Sequence, residues 1–426
     1  MHQEKDFDIT FDKLSKMEGH ADLEIKVRDG EVKEVNLKVM ENKRFYTQAV
    51  KGKPYKSVPQ LVSRICGTCS IAHLTCCIEA IEKALNIQVS DQVKLLRKLT
   101  MYSLMIRDHA LHLYLFSLPD IFNKDSILDF DESHHDLIHQ ALAVKEVGNN
   151  LSTLIAGRAV HAPYENVGGF SRLPDTNKIE PMIKELEKIR PYILDLAEIF
   201  YNCPWDLQRK THFVALVTDD FSFLEGEIRS SHGLRIKEED YWDHLNRVVL
   251  PYSQATAFTF EGQEYMVGAL ARVNLNKDKL NPRTKKSMDK YLSIFPSQNI
   301  YHNNLAQAIE ILHSIDHSID ILKEADFKPE PAAKIKKETG EGVGVIEAPR
   351  GTLYYWLGID QGKVRYANLV IPTAQNLINM REDIRQIVSR LLPQGEEVIR
   401  RETEKLIRAY DPCMSCASHF LKIHWV

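Results

Sequence analysis

Arg64-Ile-Cys-Gly-Thr-Cys-Ser-Ile-Ala-His73 and Asp411-Pro-Cys-Met-Ser-Cys-Ala-Ser-His419 decide how this chain is read. Each holds a C-x-x-C pair, Cys66/Cys69 near one end and Cys413/Cys416 near the other, and the inner cysteines lie 413 − 69 = 344 positions apart. Four thiolates brought together bind a soft metal, and softness alone admits nickel, iron, copper or zinc. Zinc ribbons keep their pairs within roughly 15–20 residues, because the ion organises a small local fold. A site closed across 344 positions needs the finished tertiary fold, so metal binding and folding are coupled. A structural four-cysteine zinc site is the plainer alternative from the pairs alone.

Around the pairs, the periodicity describes helices with strands attached. From Ala21 to Val39, apolar and polar residues alternate on both sides of Asp29-Gly30, which predicts a β-hairpin. Ser90-Asp91 predicts the cap of a long helix running towards Leu118 and ended by Pro119. Further helical patterns fall at about 131–157, 177–202, 302–324, 374–392 and 397–409. Thr352 to Ile371 reads as a second hairpin, turning at Asp360-Gln-Gly362. The expected fold class is mainly α with attached β-hairpins (α+β), a helical bundle in which each cysteine pair sits at a junction beside a helix. No Pro/Gly/Ser-rich linker or repeat divides the sequence, so 1–426 is expected to be a single domain.

With 426 residues, 44% of them hydrophobic, the chain can bury a core without disulfide staples. Lys+Arg number 55 against Asp+Glu 59, a net charge of −4, so the basic stripe of a nucleic-acid partner is missing. Seven cysteines, an odd number with four in the two pairs, fit metal ligation in a reducing compartment, and cytoplasm is the expected location. The start, Met1-His-Gln-Glu-Lys-Asp-Phe-Asp8, lacks a signal peptide's apolar core. No apolar run approaches the roughly 18 residues of a membrane helix, so no direct membrane insertion is expected.

The two cysteine stretches resemble the paired signatures of the nickel-iron hydrogenase large subunit. Between them stand Met17-Glu18-Gly19-His20, Glu347-Ala-Pro-Arg350-Gly and Ile371-Pro-Thr373-Ala-Gln-Asn376, similar to further motifs of that family and in its order. His109-Ala-Leu-His-Leu-Tyr-Leu and Asn303-Asn-Leu-Ala-Gln-Ala-Ile-Glu resemble the soluble group-3 enzymes, of the sulfhydrogenase α type. The resemblance spans essentially the whole chain.

It implies that Cys66, Cys69, Cys413 and Cys416 bind nickel, with Cys69 and Cys416 also bridging to an iron that carries carbon monoxide and cyanide. Cys413 is then the base left holding a proton when dihydrogen is split, and Glu18 occupies the proton-relay position. Arg350 and Thr373 would donate to the cyanides, Asp108 would pair with Arg350 or face solvent, and His73 would hydrogen-bond a bridging sulfur from outside the ligand set. His419 matches a ligand of a magnesium ion near the C-terminus, while Thr47 stands where many relatives place that ion's glutamate. Residues 420–426 match a tail that a maturation protease removes after nickel insertion. His109 and His112 are read as helix-packing residues, and Cys76, Cys77 and Cys203 as buried small hydrophobes.

The activity so implied is reversible heterolytic cleavage of dihydrogen to protons and electrons. Because no further C-x-x-C cluster exists, electrons are expected to leave through an iron-sulfur small subunit, and from there through diaphorase-type subunits to NAD(P) or another soluble carrier. The alternative is a hydrogen-sensing subunit that acts by partner contact with negligible turnover, separated by steady dye reduction under hydrogen. A metal-free paralogue resembling the quinone-site subunit of respiratory complex I would have no use for all four cysteines.

Overall fold

The structure is a computed structural model that describes residues 6–41, 45–331 and 333–418. Helix accounts for 51% and strand for 20%, as the mainly α reading requires. The N-terminal strands β1 (Phe7–Phe11), β2 (Ala21–Arg28) and β3 (Glu31–Val39) form an antiparallel sheet in that order. Asp29 and Gly30 both take positive φ, 54° and 73°, the geometry that turns two strands with the right twist. Ala21, Leu23, Ile25 and Val27 on β2 pair with Val39, Leu37, Val35 and Val32 on β3 in the buried layer, as the alternation dictates.

Helix α1 (Ser70–Leu85) starts immediately after Cys69 and is buried along nearly its whole length. Helix α2 (Asp91–Ala110) begins at the predicted cap, where Ser90 Oγ accepts the Val93 N–H at 3.2 Å. Pro119 does not end this helix. The chain widens into a π-helical segment, Leu111–Ser117, and then takes one more helical turn, Leu118–Ile121. Pro119 sits in the first positions of that turn, where a missing N–H costs no hydrogen bond. Helices α3 (His135–Ala156), α4 (Ile179–Tyr201), α5 (Ala269–Asn276) and α6 (His302–Glu324) follow, with α3 packed on α2 and α6 packed on α2 and α4.

The second hairpin belongs to a three-stranded antiparallel sheet, β4 (Gly340–Ala348), β5 (Gly351–Asp360) and β6 (Lys363–Val370). Strand β4 lies along α1, and the approach is paved by Gly340, Gly342 and Gly344, which alternate onto one face. A Cβ at any of them would overlap the backbone of Ala84, Ala80 or Cys76. Gly344→Ala is therefore expected to cost about 3 kcal/mol or more, since neither backbone can yield without unpacking the core. Denaturant unfolding of the variant measures this, and an unchanged midpoint would contradict it.

Helices α7 (Pro372–Leu391) and α8 (Glu396–Ala409) lead to the short turn Met414–Ala417. The segment 203–301, to which the periodicity assigned no element, holds α5, the helix Pro282–Leu292 and five strands of two to five residues. Buried apolar residues from Ile9 to Ala417 form one contiguous cluster, and both cysteine pairs lie within it. No described helix is long and apolar enough to cross a membrane.

Candidate metal centre

The two ends of the chain meet through a short parallel bridge. Met414 N–H donates to Glu18 O at 2.8 Å, and Glu18 pairs with Cys413 in the bridge. Gly19 makes this approach feasible: its φ is +83°, and a Cβ there would lie 2.8 Å from Ser415 N. Cys69 stands at the N-cap of α1 and Cys413 at the start of the terminal turn, so each pair projects from the beginning of a helix.

All four cysteines are buried and free, and their Sγ atoms lie within 4.8 Å of one another. Individual separations are 3.6 Å for Cys66–Cys413, 3.2 Å for Cys69–Cys416 and 2.7 Å for Cys413–Cys416. Sulfurs about 2.3 Å from one tetrahedral metal would stand about 3.8 Å apart, so the cage has the size of a single ion's ligand shell. Without a cation the thiols cannot all ionise. Hydrogen bonds from Cys413, Cys416 and Cys69 hold the Cys66 thiol well below its usual range, whereas burial pushes Cys413 and Cys416 well above it. This donor set gains its charge by exchanging protons for metal.

Beside the cage is a small, narrow cavity lined by Cys69, His73, Arg350, Thr373, Cys413 and Cys416 with Ala72, Ala348, Pro349, Leu353, Ile371 and Pro372. The aliphatic wall is interrupted by few polar groups. Arg350, 5% exposed, donates from Nη1 to Asp108 Oδ2 at 2.9 Å and from Nη2 to Asp411 Oδ1 at 3.0 Å, while its buried Nε has no partner. An unused buried donor calls for an acceptor, and the described residues provide none. Thr373 Oγ1 accepts the Cys413 N–H at 2.9 Å, which leaves its own hydroxyl proton free to donate. A second metal carrying small acceptor ligands, next to Cys69 and Cys416, fits this half of the site.

The loop that presents Arg350 is held from behind. Arg272 on α5 binds Glu310 and Glu347 and donates to the carbonyls of Ala348 and Pro349, both at 2.9 Å. On the other side, Asn376 of α7 exchanges hydrogen bonds with the Val267 backbone at 2.9 and 3.0 Å, fixing the turn that carries Thr373.

Glu18 Oε2 accepts from Cys413 Sγ at 2.9 Å and from Ser415 N at 3.2 Å. Burial, reinforced by the charge on Cys66, raises its carboxyl above the ordinary range. His73 bridges two partners, with Nδ1 2.8 Å from Tyr355 Oη and Nε2 3.7 Å from Cys416 Sγ. The structure thus gathers Cys66, Cys69, Cys413, Cys416, Glu18, His73, Asp108, Arg350 and Thr373 into one place. Thr47 sits in the helical turn Tyr46–Ala49, and His419 and 420–426 lie outside the described residues. His109 and His112 bind Glu310 and Gln307 in the helix interior, at 2.9 and 2.5 Å, away from the sulfurs' ligand shell. Cys76 and Cys77 are fully buried, but Cys203 is partly exposed.

Three neighbours escaped the sequence reading. Asp411 precedes the second cysteine pair by one proline, a signal that was visible; Tyr355 and Arg107 reach the site through long-range packing that no local pattern reports.

A family model described as Nickel-dependent hydrogenase matches residues 44–150 and 218–419. The chain belongs to the nickel-dependent hydrogenase family. Its similarity to Pyrococcus furiosus proteins runs nearly end to end: 33% identity to sulfhydrogenase 2 subunit alpha over 97% of this chain and 100% of that one. Sulfhydrogenase 1 subunit alpha is 34% identical over 97% and 98%. The beta subunit of the NAD-reducing hydrogenase HoxS of Cupriavidus necator is 26% identical over 97% and 95%. The fold matches the crystal structure of an NAD+-reducing [NiFe]-hydrogenase in the H2-reduced state with a TM-score of 0.88, covering 98% of this chain and 100% of that chain at 24% identity. The protein is the catalytic large subunit of a nickel-iron hydrogenase, an oxidoreductase acting on dihydrogen, and its buried four-cysteine cage fits the nickel of this family.

Proposed function

We propose that this subunit interconverts dihydrogen with protons and electrons in the cytoplasm, at a nickel held by Cys66, Cys69, Cys413 and Cys416. Cys69 and Cys416, which face the cavity together with Cys413, would also hold an iron, and Arg350 and Thr373 would hydrogen-bond its cyanide ligands. Bound there, the metal pair supplies a redox-active Lewis acid that polarises dihydrogen and takes its electrons. The chain's own residues handle the proton. Cys413 Sγ is the thiolate with an outlet, because Glu18 Oε2 lies 2.9 Å away. Glu18 takes the proton from sulfur, and burial, by raising its carboxyl above the ordinary range, lets it hold that proton and pass it on. Arg350, clamped by Asp108 and Asp411, directs its Nε without needing to reorganise during turnover. The apolar wall keeps water from competing for the donors.

The observation that carries this reading is the convergence of two distant cysteine pairs on a cavity with an unpartnered buried donor. Beyond that cage, no other group of three or more metal-ligating side chains occurs among the described residues. Electrons therefore leave through another chain, which we assign as an iron-sulfur small subunit, followed by diaphorase-type subunits such as the NAD-reducing relatives imply. Residues 420–426, which follow His419, are assigned as a maturation peptide that a protease removes once nickel is in place. His419 would also offer a magnesium ligand, although Thr47 supplies no carboxylate for it. Infrared spectra of the purified complex test the centre: bands of metal-bound carbonyl and cyanide are expected, with one nickel per large subunit and iron in excess of nickel because the small subunit's clusters add to it. A fully processed sample with zinc alone and no such bands would overturn the proposal.

A further inference from the structure

We propose that Arg107 is the countercation of the four-sulfur centre, a positioning charge that sets how readily the centre accepts electrons. This rests on the metal centre proposed above. Five arginines are buried among the described residues: Arg97, Arg107, Arg272, Arg350 and Arg408. Four of them are each held by two carboxylates, Arg97 by Glu82 and Glu165, Arg272 by Glu310 and Glu347, Arg350 by Asp108 and Asp411, and Arg408 by Asp120 and Glu404. Arg107 makes no such ion pair among the described residues. Its Nη2 donates to Thr68 O at 2.9 Å, in the middle of the Cys66–Cys69 loop, and its Nε has no partner at all.

An unpaired cation in a core is expensive, and such a group persists only where an anion compensates it. The charged groups acting on Arg107 are, strongest first, the Asp108 carboxylate, the sulfurs of Cys69 and Cys66, and the Arg350 guanidinium. Asp108 is already committed to Arg350, and the Arg350, Asp108 and Asp411 cluster is itself net negative. That cluster cannot balance the cage. Four thiolates with cyanide ligands would leave the centre net anionic even with two divalent metals bound, and Arg107, the buried arginine without a carboxylate pair, would offset part of that charge. Gly148 lets α3 approach closely: a Cβ there would sit 3.0 Å from Arg107 Cβ and N, so α3 packs directly over the Arg107 backbone. In such a low-dielectric setting one charge acts strongly on its neighbours.

The test is a redox titration of the assembled complex followed by infrared spectroscopy, comparing Arg107→Gln with Arg107→Lys. Glutamine can still donate to Thr68 O but carries no charge; lysine keeps the charge. Arg107→Gln is expected to disfavour one-electron reduction at least tenfold, a 59 mV drop in midpoint, and to move the carbonyl and cyanide bands to lower frequency. Arg107→Lys is expected to change the equilibrium less than threefold. If Arg107→Gln does not assemble, Arg107→Met replaces it with the same expectations. Equal shifts in the neutral and lysine variants, or none in either, would overturn the inference while intact bands leave the proposed centre standing. Absence of the bands from the unsubstituted complex would instead sink the centre itself.

Discussion

Glu18→Gln is expected to lower hydrogen-dependent dye reduction by roughly 10²–10⁴-fold, the range in which a positioned proton acceptor contributes to turnover. Glutamine preserves the shape of the side chain, and its amide oxygen can still accept from Ser415 N, so the bridge between Glu18 and Cys413 should survive. What it cannot do is take a proton from the Cys413 sulfur 2.9 Å away. Metal content and the infrared bands of the variant should therefore match those of the unsubstituted complex, which separates a lost proton exit from a lost centre. Undiminished turnover in Glu18→Gln would show that the proton leaves by another route.

Cys416→Ala should have the larger effect on the protein as a whole. Cys416 Sγ touches Cys69 and Cys413 and lies 3.7 Å from His73 Nε2, so it ties the two cysteine pairs to each other. Removing it leaves three thiols and a void, and the expected outcome is no retained nickel, with dye reduction at the level of metal-free protein. Because the cage joins residues from both ends of the chain, losing the metal also loosens the fold. A ligand present at 1,000 times its Kd stabilises a native state by about 4.1 kcal/mol, and a tightly held metal ion exceeds that. Thermal unfolding of Cys416→Ala should thus begin well below that of the loaded complex. Full nickel occupancy and turnover in this variant would show that Cys416 is not a ligand.

The parts of the fold that were legible in the sequence are those whose cause is local. Asp29-Gly30 specifies its turn by backbone geometry, Ser90 caps its helix with its own hydroxyl, and the His302–Glu324 helix keeps its apolar period throughout. Strand β4 was hidden because Gly340, Gly342 and Gly344 have little strand preference; they are there for the backbone of α1, which no local window contains. Pro119 misled for a similar reason, since a proline tolerates the first turn of a new helical segment as readily as it ends an old one. The strands between 214 and 260 are too short to show a period at all.

At the site, the cysteines, Glu18, Arg350 and Thr373 lay within motifs, whereas their supports did not. Arg272, which holds the carbonyls before Arg350, and Tyr355, which orients His73, look like any core arginine or tyrosine until the chain is folded. Asp108 was left between pairing and solvent by its helix position, and the structure places it on Arg350.

Anomalous diffraction from the processed complex at the nickel and iron absorption edges addresses the account most directly. It predicts one nickel among Cys66, Cys69, Cys413 and Cys416 and one iron in the adjoining cavity, between the sulfurs of Cys69 and Cys416 and the Nε of Arg350. A single zinc at the centre of the four sulfurs, with nothing in the cavity beside it, would contradict it.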